Sequence, residues 1–73
     1  MKTETLDTTG LRFPDPLLEI VQKAAKMKPG SILEVQGDYP GFEKDVRGWC
    51  LETGRVCVSV EDEGKIKIVG ILF

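Results

Sequence analysis

The chain has 73 residues, 41% of them apolar, with ten basic and twelve acidic side chains for a formal charge of −2. That length suits one small domain, residues 1–73, with one modest core, and the charge balance makes nucleic acid an unlikely partner. Two cysteines, Cys50 and Cys57, and no histidine argue against a disulfide framework or a zinc site, so no metal and no cofactor is expected.

Thr3 to Thr8 can form a first strand, and Asp7-Thr8-Thr9-Gly10 supplies turn chemistry after it. This start is charged and threonine-containing rather than apolar, and no later run approaches the roughly 18 apolar residues of a membrane span. A cytoplasmic, non-membrane protein is therefore expected. A helix follows, with Leu17, Leu18, Val21, Ala24, Ala25 and Met27 gathered into an apolar stripe by their three- and four-residue spacing. Pro14 and Pro16 suit its entry, where missing amide protons cost least. Lys28-Pro29-Gly30 is its stop.

Ser31 to Gln36 reads as the second strand, and Asp38-Tyr39-Pro40 as the entry to a second helix. Phe42, Val46, Trp49, Cys50 and Thr53 mark that helix's buried face, and Gly54 its C-terminal cap. Val56, Val58 and Val60 then alternate with Cys57, Ser59 and Glu61 in a third strand. Glu61-Asp62-Glu63-Gly64 forms a polar turn into a last strand from Lys65 to Phe73. The order is βαβαββ, an α/β (α+β) two-layer sandwich with a four-stranded mixed sheet and both helices on one face. The last strand is apolar on both faces towards its end, which suits edge packing, a frayed terminus, or a partner or dimer surface.

Several blocks then align with one known family. Asp7-x-x-Gly10-Leu11-Arg12 precedes Phe13-Pro14-Asp15-Pro16; Lys28-Pro29-Gly30 leads into Leu33-Glu34-Val35; Asp38-x-Pro40, Asp45-Val46 and Thr53-Gly54 follow in order. In this order and spacing the chain resembles the TusA/SirA-like sulfur-carrier (sulfurtransferase) proteins over nearly its full length. The resemblance implies the βαβαββ fold and a persulfide held on the cysteine of a Cys-Pro-x-Pro motif. A cysteine desulfurase or another sulfane donor would load it, and a downstream acceptor would unload it. This chain has Phe13 at the cysteine position, and Arg55 where the family commonly has histidine after Thr-Gly.

Phe13 cannot ionise or hold a sulfane sulfur. It can pack over the start of the first helix as a hydrophobic staple, or stand out as an aromatic anchor for a partner, flanked by Arg12, Pro14, Asp15 and Pro16. The first reading of function is thus a family member that has lost the relay at position 13 and binds a protein partner of a sulfur-transfer pathway. Such a protein would be a monomer or weak dimer. The alternative is an active carrier that uses Cys57 or Cys50. Cys50, at the edge of the second helix's apolar face, reads as an inert packed thiol; Cys57 lies on the open sheet face if the flanking valines face the helices. An RNA-binding module is a further alternative, by analogy of fold alone.

Overall fold

A computed structural model describes residues 2–73. Its elements run β1 (Thr3–Asp7), α1 (Asp15–Ala24), β2 (Ile32–Gly37), α2 (Phe42–Thr53), β3 (Val56–Glu63) and β4 (Ile66–Leu72). The sheet order is β1-β2-β4-β3; β1 pairs parallel with β2, and β4 pairs antiparallel with both β2 and β3. Joining parallel neighbours requires a crossover, and α1 supplies it. This is the α+β two-layer arrangement expected from the pattern.

One face of the sheet makes the core. Leu33 and Val35 of β2 lie beside Ile71 and Val69 of β4 in register, and Ile20 of α1 with Phe42, Val46 and Cys50 of α2 covers them. All eight are buried, and each large apolar side chain so placed contributes about 1.5–3 kcal/mol from its removal from water. The Phe42 ring lies directly against Gly37, where any Cβ would collide with it. Thus the last residue of β2 must be glycine for α2 to seat its first aromatic.

The buried face of α1 differs from the expected stripe. Pro16 and Ile20 are its buried residues, with Leu17 and Met27 packed at the margin, whereas Leu18 and Val21 are 53% and 49% exposed. Residues 16, 20, 24 and 27 share a face at helical spacing as well as 17, 21 and 24 do, and the sheet selects between them. The helix also ends before Lys28-Pro29-Gly30. After Ala24 the chain tightens, with Lys26 N donating to Lys23 O at 2.9 Å and Met27 N to Ala24 O at 3.1 Å. At the end of α2, Gly54 adopts φ +73° and Arg55 N donates to Cys50 O at 2.8 Å, a left-handed cap that glycine accepts without strain.

Two expectations for the β-hairpin are corrected. Glu61–Glu63 belong to β3 rather than to a turn; the reversal is Gly64-Lys65, and Gly64 N donates to Asp62 Oδ1 at 3.0 Å. The doubly apolar last strand is neither an edge nor frayed, because β4 lies inside the sheet between β2 and β3. Val69 and Ile71 are buried under the helices, whereas Ile66, Ile68 and Leu72 on the other face are exposed or half-buried.

Candidate functional site

The segment that carries position 13 is fastened at its base to the ends of β1 and β2. Asp7 Oδ1 accepts hydrogen bonds from Thr9 N at 2.9 Å and Thr9 Oγ1 at 2.6 Å, an Asx turn set by the Asp-x-Thr spacing. The Thr9 hydroxyl, then its amide, hold the Asp7 carboxyl below its ordinary range. Thr8 is buried, and its amide and hydroxyl both donate to Gln36 O. Gly10 N donates to Asp38 Oδ1 at 2.9 Å. The loop into α1 is therefore built on the chain leaving β2.

From this base Arg12, Phe13, Pro14 and Asp15 project into solvent, whereas Pro16 is fully buried. Of the five residues expected to form a contact surface, Pro16 is the one that lies buried beneath the turn. Phe13 is 61% exposed and stands apart from the core cluster. The Phe13–Pro14 peptide is cis, and Asp15 N donates to Arg12 O at 2.8 Å.

A helix start ordinarily offers several free amides to an anion. Here residues 14 and 16 are prolines without an amide proton, and the amide of Asp15 is engaged. The expected donor array beside position 13 is correspondingly thin.

Two recesses flank the segment. Before Phe13, a cleft of about 130 Å³ is lined by Gly10, Leu11, Arg12, Asp38, Tyr39 and Pro40. After it, a groove of about 320 Å³ runs between the helices, lined by Leu17, Lys44, Asp45, Gly48, Trp49 and Glu52. Tyr39 lines the first and Asp45 the second, and Tyr39 Oη donates to Asp45 Oδ2 at 2.5 Å. Of the lining residues Arg12 was already a candidate from the sequence; Tyr39 and Asp45 were not, although Asp38-x-Pro40 and Asp45-Val46 lay among its matching blocks.

The family model for sulfurtransferase TusA matches residues 4–71. The chain belongs to the TusA family. Among its TusA relatives, a protein of Neisseria meningitidis serogroup A named "Putative sulfur carrier protein" is 35% identical over 63 residues, covering 86% of this chain and 85% of the relative. A protein of Aquifex aeolicus with the same description is 37% identical over 59 residues, covering 81% of this chain. The chain spans only 30% of the length of that Aquifex relative.

The cysteines of this TusA-family chain lie on the core side of the structure. Cys50 is 2% exposed on the inner face of α2, where burial first, and then the neighbouring Cys57, push its thiol upward from the ordinary value. Cys57 was expected on the open face of the sheet if its flanking valines faced the helices. A bulge between Cys57 and Ser59 reverses that. Cys57 pairs with Ile71 and packs, half-buried, against the core, while Val56 and Val58 are exposed. The extra residue resets the strand's phase, so Cys57 and Val60 share the inner face although three positions apart. Arg55 lies with its guanidinium 4.6 Å above the Phe73 ring.

Proposed function

We propose that this protein acts by binding a protein partner of a sulfur-transfer pathway through the turn at Arg12–Asp15, without carrying persulfide at position 13. The observation that carries the reading is Phe13 itself. It occupies the place that the family resemblance gives to the persulfide cysteine, it has no ionisable group, and it is 61% exposed at the start of α1. An exposed aromatic on a turn tied to two strands is a preorganised anchor, and aromatics are enriched among the residues that dominate binding energy. Arg12 and Asp15 supply charge on either side of it. The partner is a cysteine desulfurase or a sulfur acceptor, and the location is cytoplasmic.

The alternative of a relay through another thiol rests on Cys57, the more accessible of the two cysteines. Intact-mass spectrometry after incubation with a cysteine desulfurase and cysteine separates the readings. This chain should gain no reducible sulfur, while its Phe13→Cys variant should gain one atom. Loading of the unaltered chain, abolished by Cys57→Ser, would establish the alternative instead.

A further inference from the structure

We infer that the open face of the sheet, opposite the helices, docks a basic amphipathic helix of a partner protein along β4. Strand alternation fixes what this face carries. Val69 and Ile71 belong to the core, so Ile66, Ile68, Gly70 and Leu72 point the other way and form an apolar line about 20 Å long. It runs down an interior strand, between β2 and β3. Ile66 is exposed and Ile68 and Leu72 are half-buried. Val56 of β3, in register with Leu72 and itself exposed, widens the line at one end.

Carboxylates stand on both margins of this line. Glu34 of β2 pairs with Gly70 on one side, and Glu61 and Glu63 of β3 pair with Ile68 and Ile66 on the other. Residues in register share a face, so each margin lies about 5 Å from the apolar line. Asp7, in register with Gln36, adds a fourth carboxylate at the β1 edge. No strand position on this face holds a basic residue. Lys67 is out of phase with Ile66 and Ile68 and is paired with Asp62, Arg55 lies over the Phe73 ring, and Lys65 is in the reversal of the hairpin. Among the described residues no ion pair reaches Glu34, Glu61 or Glu63.

This single sign selects the occupant. A second copy laid face to face would set carboxylate against carboxylate, and the phosphates of a nucleic acid or an anionic lipid surface meet the same repulsion. A helix with an apolar stripe and Lys or Arg on both sides of it fits instead. Its stripe covers β4, while its basic side chains extend to Glu34 on one margin and to Glu61 and Glu63 on the other. The length of the line corresponds to about 13 residues of α-helix, and a helix there gives the sheet a second covered face, a common layer arrangement. Apolar burial supplies most of the affinity and the charges set orientation and encounter. Phe13, at the start of α1, belongs to the other layer, so this docking does not rest on the proposed function.

Fluorescence anisotropy of a labelled Leu/Lys peptide of about 14 residues, with its Leu residues at helical spacing, tests this when titrated with the full chain. Amide chemical shifts of isotope-labelled protein locate the contact. The peptide should bind, with shifts concentrated in β3 and β4, and added salt should weaken it. The double variant Glu61→Lys, Glu63→Lys and the single variant Ile66→Ser should each weaken binding by at least about tenfold. All three positions are exposed, so the fold, followed by urea denaturation, is retained. A peptide with Glu in place of Lys should bind at least about tenfold more weakly. Phe13→Ser should leave peptide binding unchanged even where it abolishes binding to a cysteine desulfurase, so either surface can fail without the other. Absence of binding at millimolar protein, equal binding of the Leu/Glu peptide, or shifts confined to the helices and the turn at Arg12–Asp15 would overturn the inference. A dimer in sedimentation equilibrium that Ile66→Ser dissociates would assign the face to a second copy and overturn it as well.

Discussion

The Tyr39 hydroxyl donates a 2.5 Å hydrogen bond to the Asp45 carboxylate, and this contact forms the wall between the cleft before Phe13 and the groove after it. It closes the entry to α2 on itself, because Tyr39 precedes the helix and Asp45 lies in its first turn. The Tyr39 ring also meets Phe42 edge-on, with centroids 5.9 Å apart, so the same residue supports the core and shapes the surface.

Tyr39→Phe keeps the ring and removes the hydrogen bond, and should cost about 1–2 kcal/mol of stability, measured by urea denaturation. Tyr39 is the one tyrosine of the chain, so ultraviolet absorbance follows its ionisation alone. Burial first, then Asp45, push the phenol above its ordinary value of 10.0. Phenolate should therefore appear at higher pH than in a free tyrosine, and Asp45→Asn should bring it back towards that value.

The choice of buried face on α1 makes Ile20 and Leu18 unequal. Ile20→Ala removes a side chain that is fully buried against the sheet and should cost about 2–5 kcal/mol. Leu18→Ala should stay within about 0.5 kcal/mol, as surface substitutions do. Equal losses in thermal or urea unfolding would contradict the placement of α1.

The two thiols should differ in reactivity. In the folded protein Cys50, buried and with its thiol pushed up, should react with iodoacetamide far more slowly than half-buried Cys57, and in denaturant the difference should vanish. A raised thiol pKa favours the protonated folded state, so its stabilising contribution is complete below the ordinary thiol value and is lost as pH rises through the folded one. Alkaline unfolding should accordingly ease in Cys50→Ala relative to that variant's own stability at neutral pH. Peptide mapping of alkylated protein and pH-dependent denaturation check both points.

Acid should destabilise the protein through a small set of carboxylates. Asp7 is held down by the Thr9 hydroxyl and amide, Glu4 by its bond to Lys23, and Asp62 by Lys67 and Gly64 N. Each has a depressed folded value, so its contribution is present above the ordinary carboxylate value and is lost as pH falls through the folded one. Stability should fall as pH drops below about 4. Asp7→Asn, which can still accept from Thr9, should flatten that slope, and denaturation midpoints across the acid range measure it.

The element order, the Gly54 cap and the inward Phe42, Val46 and Cys50 of α2 were legible in the sequence, though Thr53, expected on that face, is exposed; each rests on interactions within a turn or two of chain: period, capping and left-handed glycine. The family was legible for a related reason, since its blocks keep their order and spacing. Other features required the tertiary structure. Whether Ile20 or Val21 faces inward depends on where the sheet lies beneath α1. Whether Cys57 faces the helices depends on a bulge that no alternation pattern reveals, and that β4 is an interior strand depends on its pairing with both β2 and β3. The two recesses beside Phe13 join residues 10–17 to residues 38–52, which meet only when β1 and β2 pair and α2 packs across them. Local periodicity specifies which residues can share a face; long-range pairing decides which face is covered and what the uncovered one can bind.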